Sequence, residues 1–181
     1  MENFDFLPLV EISETFSDYP DFVSLAVIAF FEGCSHNCKG CQSPELQKVK
    51  EENKKSLEEC FEKITDRCKR NDTNKIVLSG GDPYDSGKPM LKLISKLQES
   101  GYEVCVYTGY DLLEVLSFYN EKDLRFPSYL KCGVYREDQL NETFGKSNDK
   151  FVLVSKNQAF YKWSDEDKSY ILLSDDLKEC R

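Results

Sequence analysis

The sequence predicts an α/β protein whose strands form a partial (β/α) barrel or a curved, mainly parallel sheet. Three observations predict it: an early apolar run rich in β-formers, an alternation of strand-like and helix-like segments after it, and polar, glycine-rich motifs placed just past the strands. With 181 residues, 40% of them hydrophobic and 13% aromatic, the chain has enough apolar material for one sizeable core. A single domain over residues 1–181 is expected, with its core at about 18–160 and a C-terminal tail at about 161–181.

The run from Phe22 to Phe31 is apolar almost throughout, the pattern of a strand covered on both faces. The charged stretch from Lys48 to Lys55 reads as a solvated connector. A helix begins near Ser56, where Ser56 and Glu59 make a capping-box pair and Leu57, Cys60, Phe61, Ile64 and Cys68 fall on one face. Strands follow at Lys75–Ser79, Glu103–Thr108, Tyr129–Tyr135 and Phe151–Ser155. Between the first two lies a helix from about Pro89 to Ser100, with Pro89 suited to the first turn and Gly101 to the position just past the end. A shorter helix covers Leu112 to Tyr119. Such alternation gives parallel strands joined by right-handed crossovers, and five or six strands are too few to close an eightfold barrel.

The motifs that interrupt this pattern share a position. A cysteine-rich loop follows the first strand, Gly80-Gly81-Asp82-Pro83 the second, Gly109-Tyr110 the third and Asn157-Gln158 the fifth. In a parallel sheet those strand ends share one rim, where ligands bind, so one composite site is expected.

The balance of 24 basic against 33 acidic residues, a net charge of -9, creates no overall field that attracts nucleic acid. No segment approaches the roughly 20 consecutive apolar residues that span a bilayer, and the N-terminal residues Met1 to Asp5 lack the positive charge of a leader. A cytoplasmic protein with neither nucleic-acid nor membrane partners is expected.

Eight cysteines are many for such a chain, and in a reducing compartment a spaced cluster binds metal more often than it forms disulfides. Cys34, Cys38 and Cys41 are spaced x3 and x2, short enough for one loop to wrap one centre. Three thiolates suit a soft metal or an iron–sulfur cluster, and three ligands on a four-iron cubane leave one iron open for chemistry. A structural zinc normally takes four protein ligands, and His36, the only histidine, sits between two of the thiols, where ligation would strain the loop. Cys60, Cys68, Cys105 and Cys132 fall on apolar faces and read as small buried hydrophobes, and Cys180 as a free thiol in the tail.

CxxxCxxC after the first strand of a partial barrel resembles the radical S-adenosyl-L-methionine (SAM) enzymes. Within them, GCSHNCKGC from Gly33 to Cys41, then Pro44-Glu45-Leu46, Leu78 to Pro83, Val106 to Tyr110 and Ser155 to Gln158 resemble, in that order, the activating proteins of anaerobic, class III ribonucleoside-triphosphate reductases. The resemblance covers roughly residues 18 to 160. Asp18-Tyr19-Pro20-Asp21 departs from the Gly-Pro-Gly-like turn of many members, and Ser43 stands where asparagine is common.

The resemblance implies that Cys34, Cys38 and Cys41 hold a [4Fe-4S] cluster whose fourth iron is chelated by the amino and carboxylate groups of SAM. It places Gly40, Cys41 and Gln42 against the cofactor through backbone contacts. Gly80 and Gly81 let backbone approach the ligand closely, and Asp82 accepts a hydrogen bond from the methionyl ammonium. Tyr107 to Tyr110 and Asn157-Gln158 either line the adenosine or entering peptide or pack at the rim. The implied reaction is one-electron cleavage of SAM to methionine and a 5′-deoxyadenosyl radical, which takes a hydrogen atom from a glycine of the reductase's large subunit. The electron comes from a low-potential donor such as flavodoxin. No side chain is required as acid or base, so no catalytic residue is assigned. The competing readings are a radical SAM enzyme acting on another glycyl-radical enzyme or a small molecule, as in deazapurine synthesis, and a non-catalytic zinc or iron–sulfur module.

Overall fold

The computed structural model describes residues 6–21, 23–141 and 153–173. In chain order the strands are β1 (Phe6–Thr15), β2 (Ala26–Phe31), β3 (Lys54–Ser56), β4 (Lys75–Gly80), β5 (Glu103–Tyr107), β6 (Tyr129–Cys132), β7 (Ala159–Ser164) and β8 (Ser169–Leu172). The helices are α1 (Leu57–Arg70), α2 (Lys88–Glu99) and α3 (Leu112–Phe118). One open sheet runs in the order β3-β1-β2-β4-β5-β6-β7-β8, so its end strands stay unpaired with each other and the barrel is partial. The four central strands are parallel and carry α1, α2 and α3 on their crossovers, while an antiparallel pair extends the sheet on each side.

Strand alternation sorts the core into two layers. Val27, Ala29, Phe31, Ile76, Leu78, Val104, Val106, Leu130 and Cys132 point to the helices, where Cys60, Ile64 and Cys68 of α1 and Met90, Leu91, Leu93, Ile94 and Leu97 of α2 meet them. Each large apolar side chain buried this way contributes about 1.5–3 kcal/mol relative to leaving it in water. Ala26, Ile28, Val77 and Cys105 point to the other face, where Tyr19 and Phe160 pack on them. The expected burial of Cys60, Cys68, Cys105 and Cys132 is observed, with Cys105 in the second layer and the other three in the first.

Helix α1 begins as its sequence signals, with Ser56 and Glu59 making both bonds of the capping box. Asp111 and Glu114 make a second capping box at the start of α3, and α2 ends before Gly101, which takes a positive φ of 88°.

Three expectations are corrected. The stretch read as a solvated connector is exposed over most of its length, but it runs into β3, and its Lys50 and Asn53 hold the buried carboxylate of Glu32 at the base of the cysteine loop. The strand expected at Phe151–Ser155 falls partly outside the described residues, and in the described part Ser155 makes only an isolated bridge to Leu140. The region read as a tail contributes the β7–β8 hairpin, which adds two strands to the sheet. Cys180 lies outside the described residues. Among the described residues no helix is long and apolar enough to cross a membrane.

Candidate functional site

The parallel strands β2, β4, β5 and β6 end on one rim, and β7, being antiparallel to β6, starts there. Asn157-Gln158 therefore reach the same rim as the loops after β2, β4 and β5, although they precede a strand instead of following one. A cavity of about 660 Å³ opens at this rim and runs down the face of the sheet opposite the helices. Cys34, Cys38, Cys41 and Gln42 line its mouth on one side, and Gly80, Gly81, Gly109 and Gln158 line it from the other loops. Its size lies within the range of about 300–1,000 Å³ usual for nucleotide- and drug-sized ligands.

The cysteine loop is closed at its base by backbone bonds. Gly33 donates to the Leu46 carbonyl at 2.8 Å and Cys34 to that of Gln47 at 3.0 Å, while Cys41 N–H turns back to Cys38 at 3.2 Å. The loop after β4 is pressed against it: Gly81 donates to the Phe31 carbonyl at 2.8 Å and Asp82 to the Gly33 carbonyl at 2.6 Å. This proximity explains the two glycines. A Cβ on Gly80, whose φ is +119°, would lie 2.2 Å from the Phe31 oxygen, and one on Gly81 2.3 Å from the Gly33 oxygen. Both glycines line the cavity, but what requires them is the approach of backbone to backbone.

Asp82 occupies a different place from the one expected of it. Its side chain is fully buried and absent from the cavity wall. Oδ1 accepts from Tyr84 N–H at 3.1 Å and the Thr108 hydroxyl at 3.0 Å, and Oδ2 accepts from Gly109 N–H at 2.7 Å and His36 Nε2 at 2.8 Å. With both oxygens engaged, the carboxylate ties together the loops after β2, β4 and β5 and is not free for a ligand ammonium. Asp85 makes a second tie, accepting from Ser35 N–H, the Ser35 hydroxyl at 3.0 Å and the Tyr110 hydroxyl at 2.6 Å. Gly40 sits on the outer turn of the cysteine loop at a φ of +70°, against Glu137 and away from the cavity.

These carboxylates set the local electrostatics. The hydrogen bond to Asp82 raises the His36 imidazole above its ordinary value, against the opposing effect of burial. Burial raises the Cys34 thiol, and the nearby Asp82 and Asp85 charges add to the rise. A thiol in such a setting gives up its proton when a cation takes the sulfur, so metal binding and deprotonation are coupled there.

All three cysteines are free thiols, partly exposed to the cavity. Among the described residues no three His, Cys, Asp or Glu side chains are gathered around a single ion position. A cubane makes no such demand, because its three cysteines bond three different irons. The donor set of soft sulfurs lining one side of a roomy cavity fits a cluster with a nucleoside-sized ligand beside it.

Of the residues weighed from sequence, Tyr107, Thr108, Gly109 and Gln158 line the cavity. Tyr110 instead braces Asp85, and Asn157 donates to the Val134 carbonyl at 2.9 Å. Sequence reasoning missed Lys131, Phe30 and Phe160 on the inner wall and the Ser13–Asp18 segment at its far end.

A partial barrel with a CxxxCxxC loop at the C-terminal rim of its parallel strands is the architecture of a radical SAM domain. The family model described as the 4Fe-4S single cluster domain matches residues 24–158. The chain belongs to that family, and is a radical SAM protein whose cofactors are a [4Fe-4S] cluster and SAM. No curated protein matches the chain. Among solved structures it is similar to QueE from Escherichia coli, with a TM-score of 0.48 and 18% identity over 60% of this chain and 57% of that one. The chain thus spans little more than half the length of that protein.

Proposed function

We propose that the protein is an activase that cleaves SAM reductively and generates a glycyl radical on the large subunit of an anaerobic ribonucleotide reductase. The observation that carries the reading is the order of five motifs along the chain, from Gly33-Cys34 to Asn157-Gln158, together with the single cavity on which their loops meet. Cys34, Cys38 and Cys41 hold the cluster, and Gln42, Gly80 and Gly81 present backbone beside it. When bound, the cluster and SAM supply one-electron cleavage of a carbon–sulfur bond and removal of a hydrogen atom from the substrate.

What the chain contributes is position and shelter. Asp82 and Asp85 hold three loops in one arrangement before a ligand arrives. Tyr107, Phe30 and Phe160 give the inner wall an apolar surface that keeps water from a reactive carbon. The rim is open, which suits entry of a chain segment carrying the target glycine, and a flavodoxin-like donor is assigned as the source of the electron.

The test is to combine the reconstituted protein anaerobically with SAM, a reductant and the reductase whose target glycine carries deuterium on its α-carbon. A glycyl radical by electron paramagnetic resonance and deuterium in the 5′-deoxyadenosine are expected. SAM cleavage without deuterium transfer overturns the activase reading and leaves the small-molecule alternative.

A further inference from the structure

Lys131 is the one lysine or arginine among the described residues that line the cavity. Strand alternation puts it there: Leu130 and Cys132 on either side of it point to the helices, so Lys131 points to the opposite face, which here is the cavity wall. Its ammonium lies 4.7 Å from the centre of the Tyr107 ring, and among the described residues it makes no hydrogen bond or ion pair. Tyr107 is itself fixed, with its hydroxyl bonded to the Asp18 carbonyl and its ring edge-on to Phe160 at 5.7 Å. The two carboxylates among the described residues that line the cavity are engaged elsewhere. Glu14 pairs with Arg67 at 3.1 Å and Asn71 at 2.9 Å, and Asp18 accepts from Thr15 and Ser17.

An ammonium against an aromatic face, with the nearby Asp18 carboxylate already bonded to Thr15 and Ser17, is under-solvated, and an anion that enters the cavity relieves that cost. The location says which ligand brings the anion. The cysteines follow β2 and the Gly80-Gly81 turn follows β4, whereas Lys131 is on β6, two strands beyond β4 in the sheet. On the reading above, the one carboxylate of SAM would chelate the cluster held by the cysteines, which leaves none for Lys131.

We propose that Lys131 is the anion-binding residue of a second-substrate subsite, and that it takes a carboxylate from the molecule whose hydrogen is abstracted. The subsite rests on the reading above for its place beside SAM. On that reading the carboxylate is an acidic side chain near the target glycine, and on the small-molecule alternative it belongs to a free acid.

The test uses the cluster-loaded protein with SAM bound, kept anaerobic. Affinity is measured for two matched pairs: a blocked Glu-Gly-Glu peptide against its Gln-Gly-Gln counterpart, and glutarate against glutaramide. Wild type should prefer the carboxylate of at least one pair by about tenfold, the worth of one charge-assisted hydrogen bond in a partly desolvated site. Lys131→Met, which keeps the alkyl packing on Tyr107, should lose the preference, and Lys131→Arg should retain most of it. SAM affinity should be the same in all three. A preference confined to the peptides supports a protein substrate, and one confined to glutarate keeps the subsite while counting against the activase. Equal affinity within both pairs for wild type, or a preference that survives in Lys131→Met, overturns the proposal. A fall in SAM affinity in Lys131→Met overturns it too, by moving the lysine into the cofactor site.

Discussion

His36 Nε2 lies 2.8 Å from the buried Oδ2 of Asp82, and this contact joins the middle of the cysteine loop to the turn after β4 across 46 residues of chain. The same oxygen accepts from Gly109, so the histidine stands at the junction of three loops. Its position between Cys34 and Cys38 is thereby explained without making it a ligand: it is the clasp that fixes the loop from which the thiols project.

The clasp makes a graded prediction. His36→Ala removes one of several donors to Asp82 and should cost about 1 kcal/mol, whereas Asp82→Asn sets an NH₂ against donors that all point inward and should cost about 2–3 kcal/mol. Urea unfolding of the reconstituted protein measures both. The double variant should cost less than the sum, because the pair is broken once. Full additivity, or the opposite ranking, would show that the loops are held by something else.

The cysteines divide into two groups by environment. Alanine at Cys34, Cys38 or Cys41, which face the cavity, should abolish SAM cleavage and lower iron and sulfide content after anaerobic reconstitution. Alanine at Cys60 or Cys105, both buried in apolar surroundings, should leave iron content unchanged and cost about 1 kcal/mol of packing. Near-stoichiometric iron in the triple alanine variant would remove these three thiols as ligands.

Much of this site was legible because its signals are local. Two short spacings define the cysteine loop, and β-branched runs bounded by Gly-Gly or Thr-Gly mark where strands end at the rim. Strand β1 was hidden by Pro8, which argues against a strand, and by a bulge between Leu9 and Glu11 that breaks the alternation of its apolar residues. The commitment of Asp82 to His36, Thr108 and Gly109 depends on loops brought together by the sheet, so nothing beside Asp82 in sequence announces it. Lys131 is the instructive omission. Alternation with Leu130 and Cys132 gives its face correctly, but a lone lysine in a strand reads as solvent-facing until Tyr107, Phe160 and the 17–19 segment are seen to wall that face in.

The enclosure of Lys131 has a consequence for stability that is separate from binding. Burial pushes its ammonium down to about 8 from the usual 10.5. Between those two values the unfolded chain holds a proton that the folded chain has released, so this group makes stability rise with pH across that window. Below about pH 8 both states are protonated and the folded state bears the full cost of the desolvated charge. The groups that face it are the Asp18 carboxylate, the Cys105 thiol and the Tyr107 phenol, and burial holds the latter two well above their ordinary values, out of this window. Lys131→Met should therefore be at least as stable as wild type at about pH 7, with its advantage shrinking from about pH 8 upward and gone by about pH 10.5. Urea midpoints of both proteins across that range measure it, and a difference independent of pH would show that the ammonium is not desolvated. A carboxylate bound in the cavity supplies a counter-charge in direct contact, so a ligand that Lys131 recognises should stabilise wild type at about pH 7 by mass action and leave Lys131→Met nearly unmoved.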